Sequence, residues 1–165
     1  MSLWYQCVMA DAVEIFATEV RRYCELIESR PDDTRLREIA GQLARLYAAG
    51  LDLPRVAASG DGVHSSVPTL DDCKGLSVGY YSVVSDPLQL IDNSVVIGDL
   101  RDDLADIYGD LKRGLLLFES GREEEATWDW RFGLRAHWGE HATNALRVLH
   151  AMIEQEPIEQ FIGIS

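Results

Sequence analysis

The chain has 165 residues, 47% of them hydrophobic, and a formal charge of −13 at neutral pH. That length fits one domain and lets roughly 70% of the unfolded surface be buried without disulfide or metal staples. The charge repels phosphate backbones and anionic bilayers, and no run of Lys and Arg overrides it, so neither nucleic acid nor a membrane is an expected partner.

A mean hydropathy of −0.10 belongs to an ordinary folded protein rather than a disordered tail. No apolar run approaches the roughly 20 residues that span a bilayer. The opening residues, Met-Ser-Leu-Trp-Tyr-Gln-Cys, lack the basic start and apolar stretch of a signal peptide. Cys7, Cys24 and Cys73 are far apart, with no CxxC, so neither a disulfide framework nor a zinc knuckle is indicated. A soluble, cytoplasmic chain is the expectation, with Cys24 as a small buried apolar residue in a helix.

In chain order, Val8, Ala12, Ile15, Phe16, Tyr23, Leu26 and Ile27 recur at helical spacing over residues 3–29. Pro31 stops that helix, and Asp32 or Asp33 can cap the next. Leu36, Ile39, Leu43 and Leu46 make a second stripe, ended by Gly50, and the short connection predicts antiparallel neighbours. From Leu53 to Thr69 the pattern dissolves into Pro, Gly and Ser, a long loop for a compact domain. The run Val78 to Val84 fits a short helix or a strand, and Ser85-Asp86-Pro87 signals a turn.

Asp99 then caps a helix whose acidic first turn suits the helix dipole, with Leu100, Leu104, Ile107, Leu111 and Leu115 as its stripe. Gly121 closes it, and Glu123, Glu124 and Glu125 open a last helix that runs to about Gln155, roughly 50 Å if continuous. The expected fold is all-α: a single-domain helical bundle over residues 1–156, with an irregular segment at about 53–97, a long C-terminal helix and a tail at 157–165.

At about 100° per residue, the leucine stripe of the 98–120 helix fills an arc of about 80°. Asp103, Asp106 and Asp110 share a neighbouring arc of about 60°, flanking the core, whereas Asp102 points to solvent. Such a carboxylate stripe can reach a groove between helices, where bundles hold metals and cationic ligands. It can equally pair with Arg131 or Arg135. On the last helix Trp130, His137, His141, Ala145, Val148 and Met152 fall on one face, so both histidines are expected to point inward.

Two imidazoles four residues apart can share one metal. The string His137-Trp138-Gly139-Glu140-His141 also has the H-x-x-E-H order of inverted zinc peptidases, in which Glu140 would be the general base. Gly139 would soften a helix that must hold ligands rigidly. Trp130 and Trp138 read as core or groove-lining residues, and Trp128 points opposite Trp130, exposed or packed under the long loop. No glycine-rich phosphate loop, G-x-S-x-G elbow, dinucleotide fingerprint or calcium loop is present.

The segment Gly98-Asp99-Leu100-Arg101-Asp102-Asp103-Leu104-Ala105-Asp106-Ile107-Tyr108, followed by Asp110-Leu111-Lys112, resembles the bacterial family known as domain of unknown function 5063. So do Trp128-Asp129-Trp130-Arg131-Phe132 and His137-Trp138-Gly139-Glu140-His141-Ala142, with Ala145-Leu146 after them. The resemblance covers about a third of the chain, and Gly109 departs from the longer polar residue expected there. It implies a small cytoplasmic helical protein whose family has no assigned activity.

The leading reading is therefore an acidic helical protein of unknown function, with a binding or structural role rather than an enzymatic one, and no cofactor. Its candidate ligand-binding residues are Asp103, Asp106, Asp110, Trp130, His137 and His141. One alternative is a divalent-metal-dependent hydrolase with His137, His141 and Asp106 as ligands, between the last two helices. Another is an oligomeric adaptor that binds a protein partner or a second copy of itself through the 53–69 loop or the Trp128 side.

Overall fold

Five helices and one β-hairpin make up the described part of the computed structural model, which covers residues 3–57, 70, 73, 75–77, 79–84, 86–89, 91 and 94–154, with side chains from residue 11 onward. Most of the expected 53–69 loop and the whole 157–165 tail lie outside those residues. The fold is a helical bundle, as the periodicity predicts. No helix among the described residues is long and apolar enough to cross a membrane.

Helix α1 (Leu3–Glu28) buries Phe16, Tyr23, Leu26 and Ile27, while Ile15, expected in the stripe, is exposed. Arg30 turns the chain with a positive φ of 55° before Pro31. Asp32 then caps a short 3-10 turn, Asp33–Arg35, by accepting from the Thr34 amide. Helix α2 (Leu36–Leu51) follows and packs on α1 through Ile39, Leu43 and Leu46. Gly50 does not end α2. It lies in the last turn, where a Cβ would sit 2.9 Å from Trp138 Cη2 and 3.3 Å from Phe16 Cε2.

Within the ambiguous 78–84 run, residues 80–84 form a strand. Strand β1 (Tyr80–Val84) pairs antiparallel with β2 (Val95–Asp99), in the register Tyr81↔Gly98 and Val83↔Val96. Because β2 runs straight into helix α3 (Leu100–Glu119), the hairpin is tied to the bundle, and the Leu100 amide donates to the Gly79 carbonyl at 2.8 Å. Asp99 caps α3 as expected, accepting from the Arg101 amide, and all five residues of the predicted stripe are buried. Helix α3 is central: it packs on α1, α4 and α5.

The expected long C-terminal helix is two helices, α4 (Glu123–Ala136) and α5 (Trp138–Ile153), broken at His137 with φ −153° and ψ −83°. The break turns the Trp138 indole into the core, where it is fully buried and donates from Nε1 to the Trp130 carbonyl at 2.9 Å. Two glycines make room for it. A Cβ on Gly133 would lie 2.7 Å from Trp138 Cδ1, and one on Gly139 would collide with the Leu134 carbonyl oxygen. Burying an indole removes roughly 200 Å² from water, about 5 kcal/mol at about 25 cal/mol/Å², which outweighs the helical hydrogen bonds lost at the break.

Candidate metal centre

Around this break the structure gathers acids from α3 and imidazoles from α5 and from its junction with α4. His141 Nδ1 lies 2.7 Å from Asp103 Oδ1, and His137 Nδ1 lies 2.8 Å from Asp110 Oδ2. An ionised carboxylate only accepts, so in each pair Nδ1 carries the proton and donates. That leaves Nε2 of each ring as the basic nitrogen, the tautomer a metal takes. His141 Nε2 is 3.7 Å from Asp106 Oδ2, and the two rings are edge to face with centroids 4.7 Å apart.

Each carboxylate is held from its other oxygen. The Tyr81 hydroxyl donates to Asp103 Oδ2 at 2.5 Å, and Arg113 donates from Nη2 to Asp110 Oδ1 at 3.2 Å and from Nε to Asp129 at 3.1 Å. Two parallel chains result, Tyr81–Asp103–His141 and Arg113–Asp110–His137. Asp103 is buried, deeper than the flanking position its helical angle suggests, because Tyr81 closes over it. The Tyr81 ring in turn lies across Gly98, its cross-strand partner, where a Cβ would be 2.8 Å from Tyr81 Cε1.

The electrostatics follow. The hydrogen bond to Asp103 raises the His141 pKa above its ordinary value, with Asp106 adding to it and partial burial opposing it. Burial, then the bond to Asp103, pushes the Tyr81 hydroxyl well up, so it stays a donor.

One donor atom from each of Asp106, His137 and His141 lies within 4.8 Å of the others. Donors around a tetrahedral ion at about 2.0–2.2 Å are themselves about 3.4 Å apart, so the cluster contracts on taking up an ion, and the half-exposed Asp106 and His137 side chains have room to move. The side chains of His137 and Asp106 are each 50% exposed and that of His141 26%, so the cluster opens to solvent on one side. Asp103 and Asp110 orient the imidazoles rather than complete the triad.

Other expectations are redrawn. His137 does not point inward, since the break at its own backbone tips it to the surface. The acids do not pair with Arg131 or Arg135: Asp110 takes Arg113, and Arg131 donates to the Gly50 and Leu51 carbonyls at 3.3 and 3.1 Å. Trp130 lies in the core, between Phe16 and Phe118, with Nε1 committed to the Leu111 carbonyl. Glu140 is exposed, and the H-x-x-E-H string spans the break rather than one helix. Sequence reasoning missed Tyr81 and Arg113. Gly98, a glycine opposite an aromatic on a paired strand, was the one trace of the first.

The family described as "Domain of unknown function (DUF5063)" matches residues 76–155. That stretch, just under half of the chain, is similar to the family. It bears out the resemblance read from the sequence and contains Tyr81, Asp103, Asp106, Asp110 and both histidines, whereas α1 and α2 lie before it. The crystal structure of protein BF1032 from Bacteroides fragilis is similar in fold, with a TM-score of 0.62 over 88% of this chain and 94% of that one at 19% identity. No curated protein matches the sequence. Neither the family's description nor the name of the neighbouring protein states an activity, so the function of the chain is unknown and the chemistry rests on the site.

Proposed function

We propose that this chain binds a divalent metal of the zinc class through Asp106, His137 and His141, as a cytoplasmic protein whose open coordination face serves a hydrolytic reaction. The observation that carries the reading is the pair of carboxylate-held imidazoles converging on a third carboxylate. Metal-ligating histidines almost always donate their other ring N–H to such a partner. Three protein ligands with a solvent-facing side are the pattern of catalytic rather than structural zinc. An ion held there would act as a Lewis acid and bring the pKa of water to about 7. The protein's own part is to fix both tautomers through Asp103 and Asp110 and to hold those acids with Tyr81 and Arg113. Widely spaced cysteines without a CxxC pattern accord with a reducing compartment.

The test is metal analysis and calorimetric zinc titration of protein purified without a histidine tag. A stoichiometric site is expected, lost in His141→Ala and weakened about 10–100-fold in Asp103→Asn, where only the orienting group changes. Zinc affinity weaker than about 1 mM, or affinity untouched by both variants, would overturn the assignment.

A second reading, an oligomeric adaptor, is favoured by one feature: Tyr80, Val84, Val95 and Ile97 project from one exposed face of the hairpin. Two-stranded hairpins are marginal alone, and an apolar face of this kind suits association. A monomer in sedimentation velocity at the highest attainable concentration would set aside self-association.

A further inference from the structure

On the far side of α4 from the metal cluster lies a cavity of about 500 Å³, between α2 and α4. We propose that this cavity, lined by Tyr47, Arg55, Trp128, Arg131, Phe132 and Arg135, binds a small aromatic anion. Its volume falls within the roughly 300–1,000 Å³ of small-molecule sites.

Three arginines line it and no acidic residue does, in a chain of net charge −13. Many of the other arginines are neutralised by neighbouring carboxylates, Arg22 by Glu19, Arg35 by Glu38 and Arg113 by Asp110 and Asp129. Among the described residues no carboxylate pairs with Arg55, Arg131 or Arg135. Arg131 is fixed by donating to the two α2 carbonyls, which turns part of its guanidinium into a rigid wall while its charge stays uncompensated. Like charges held together without counter-ions cost free energy, and a guanidinium trio suits a carboxylate or phosphate, which accepts paired hydrogen bonds.

The rest of the lining sets the other half of the ligand. Trp128 and Phe132 stack at 5.0 Å with their planes 6° apart, and Phe132 is an exposed large aromatic. Their parallel faces form a platform on which a further planar ring can lie, with Tyr47, Leu51 and Val56 opposite. The anion and the ring are therefore recognised by adjacent parts of one cavity. The chemistry fits a nucleoside monophosphate and an aromatic carboxylate alike.

Isothermal titration with adenosine monophosphate and with 1-naphthoate separates the two sources. Adenosine and inorganic phosphate serve as the half-ligands, with a chelator present so that no anion can bind through a metal. Saturable binding of either aromatic anion is expected, at least about tenfold tighter than its half-ligands, and weakened about tenfold or more in Arg55→Gln and Arg135→Gln. Both arginines are exposed and hold no other group, so these variants should melt at or above the parent temperature. A residue with a merely structural role would lower it. Failure of both aromatic anions to bind below about 1 mM, or binding unchanged in the doubly substituted protein, overturns the proposal.

Discussion

Gly139→Ala sets two physical arguments against each other with opposite signs. In an ordinary helix interior, alanine for glycine stabilises by about 0.8–1.0 kcal/mol. A straight helix through residues 123–155, as the sequence alone suggests, would show that gain. In the structure the new Cβ overlaps the Leu134 carbonyl oxygen and lies 3.0 Å from its carbon and 3.1 Å from Leu134 Cδ1. The obstacle is backbone, so α5 must move as a body, and Trp138 moves with it. Uncovering half of an indole's roughly 200 Å² costs about 2.5 kcal/mol at about 25 cal/mol/Å². Loss of the Trp138–Trp130 hydrogen bond adds about 1 kcal/mol. After the propensity gain, a net loss of about 2–3 kcal/mol is expected. Gly109→Ala is the internal control: nothing lies within 4 Å of its Cβ position in α3, so propensity alone acts and stability should rise by about 0.5–1 kcal/mol. Urea denaturation followed by far-ultraviolet circular dichroism measures both. If Gly139→Ala matches or exceeds the parent while Gly109→Ala gains as expected, the break is not held by Trp138 burial and the reasoning fails.

Two further outcomes follow from the same contacts. Because Asp103 raises the His141 pKa in the folded protein, protonated His141 stabilises the apo state. That contribution is fully present below the unfolded value of about 6.5 and lost as pH rises through the folded one. The stability advantage of the parent over His141→Gln, with chelator present, should therefore shrink from about pH 6 to pH 9, at no more than about 1.4 kcal/mol per unit; a flat difference would refute it. Burial pushes the Cys24 thiol up to about 12, so iodoacetamide should label it only as fast as urea unfolds the chain. Rapid labelling in buffer alone would show that the α1–α3 packing around it is loose.

Helix α3 was legible because everything local agreed: a capping aspartate, an acidic first turn and a leucine every three or four residues. The arc of Asp103, Asp106 and Asp110 followed from the same geometry. The break at His137 was not, because a one-residue interruption leaves the apolar face nearly in phase. Its cause is also tertiary: Trp138 is turned inward by the space that Gly50 and Gly133 leave. The hairpin was half legible. Val78 to Val84 carried strand residues and a turn signal, but its partner, Val95–Asp99, read as the approach to a helix. Tyr81 was missed because its hydrogen bond to Asp103 joins a strand to a helix 22 positions on, where no periodicity speaks.

The break also changes what the crowded segment from Trp128 to His141 means. Along α4 the side chains divide by angle: Asp129, Trp130 and Gly133 turn toward α3, and Trp128, Arg131, Phe132 and Arg135 turn away from it. The first set serves the core and, through Asp129 and Arg113, the carboxylate that holds His137. The second set lines the cavity against α2. Had α4 and α5 been one helix, His137 and His141 would lie one above the other on a single inward face, and only residues of that face could have met a ligand. With the chain broken at His137, one imidazole reaches Asp110 and the other Asp103, seven residues or about two turns apart along α3, while both stay beside Asp106. The density of acids, imidazoles and indoles is thus the signature of two surfaces sharing one short helix. Substitutions on one face should leave binding at the other unchanged, because different residues of α4 serve each.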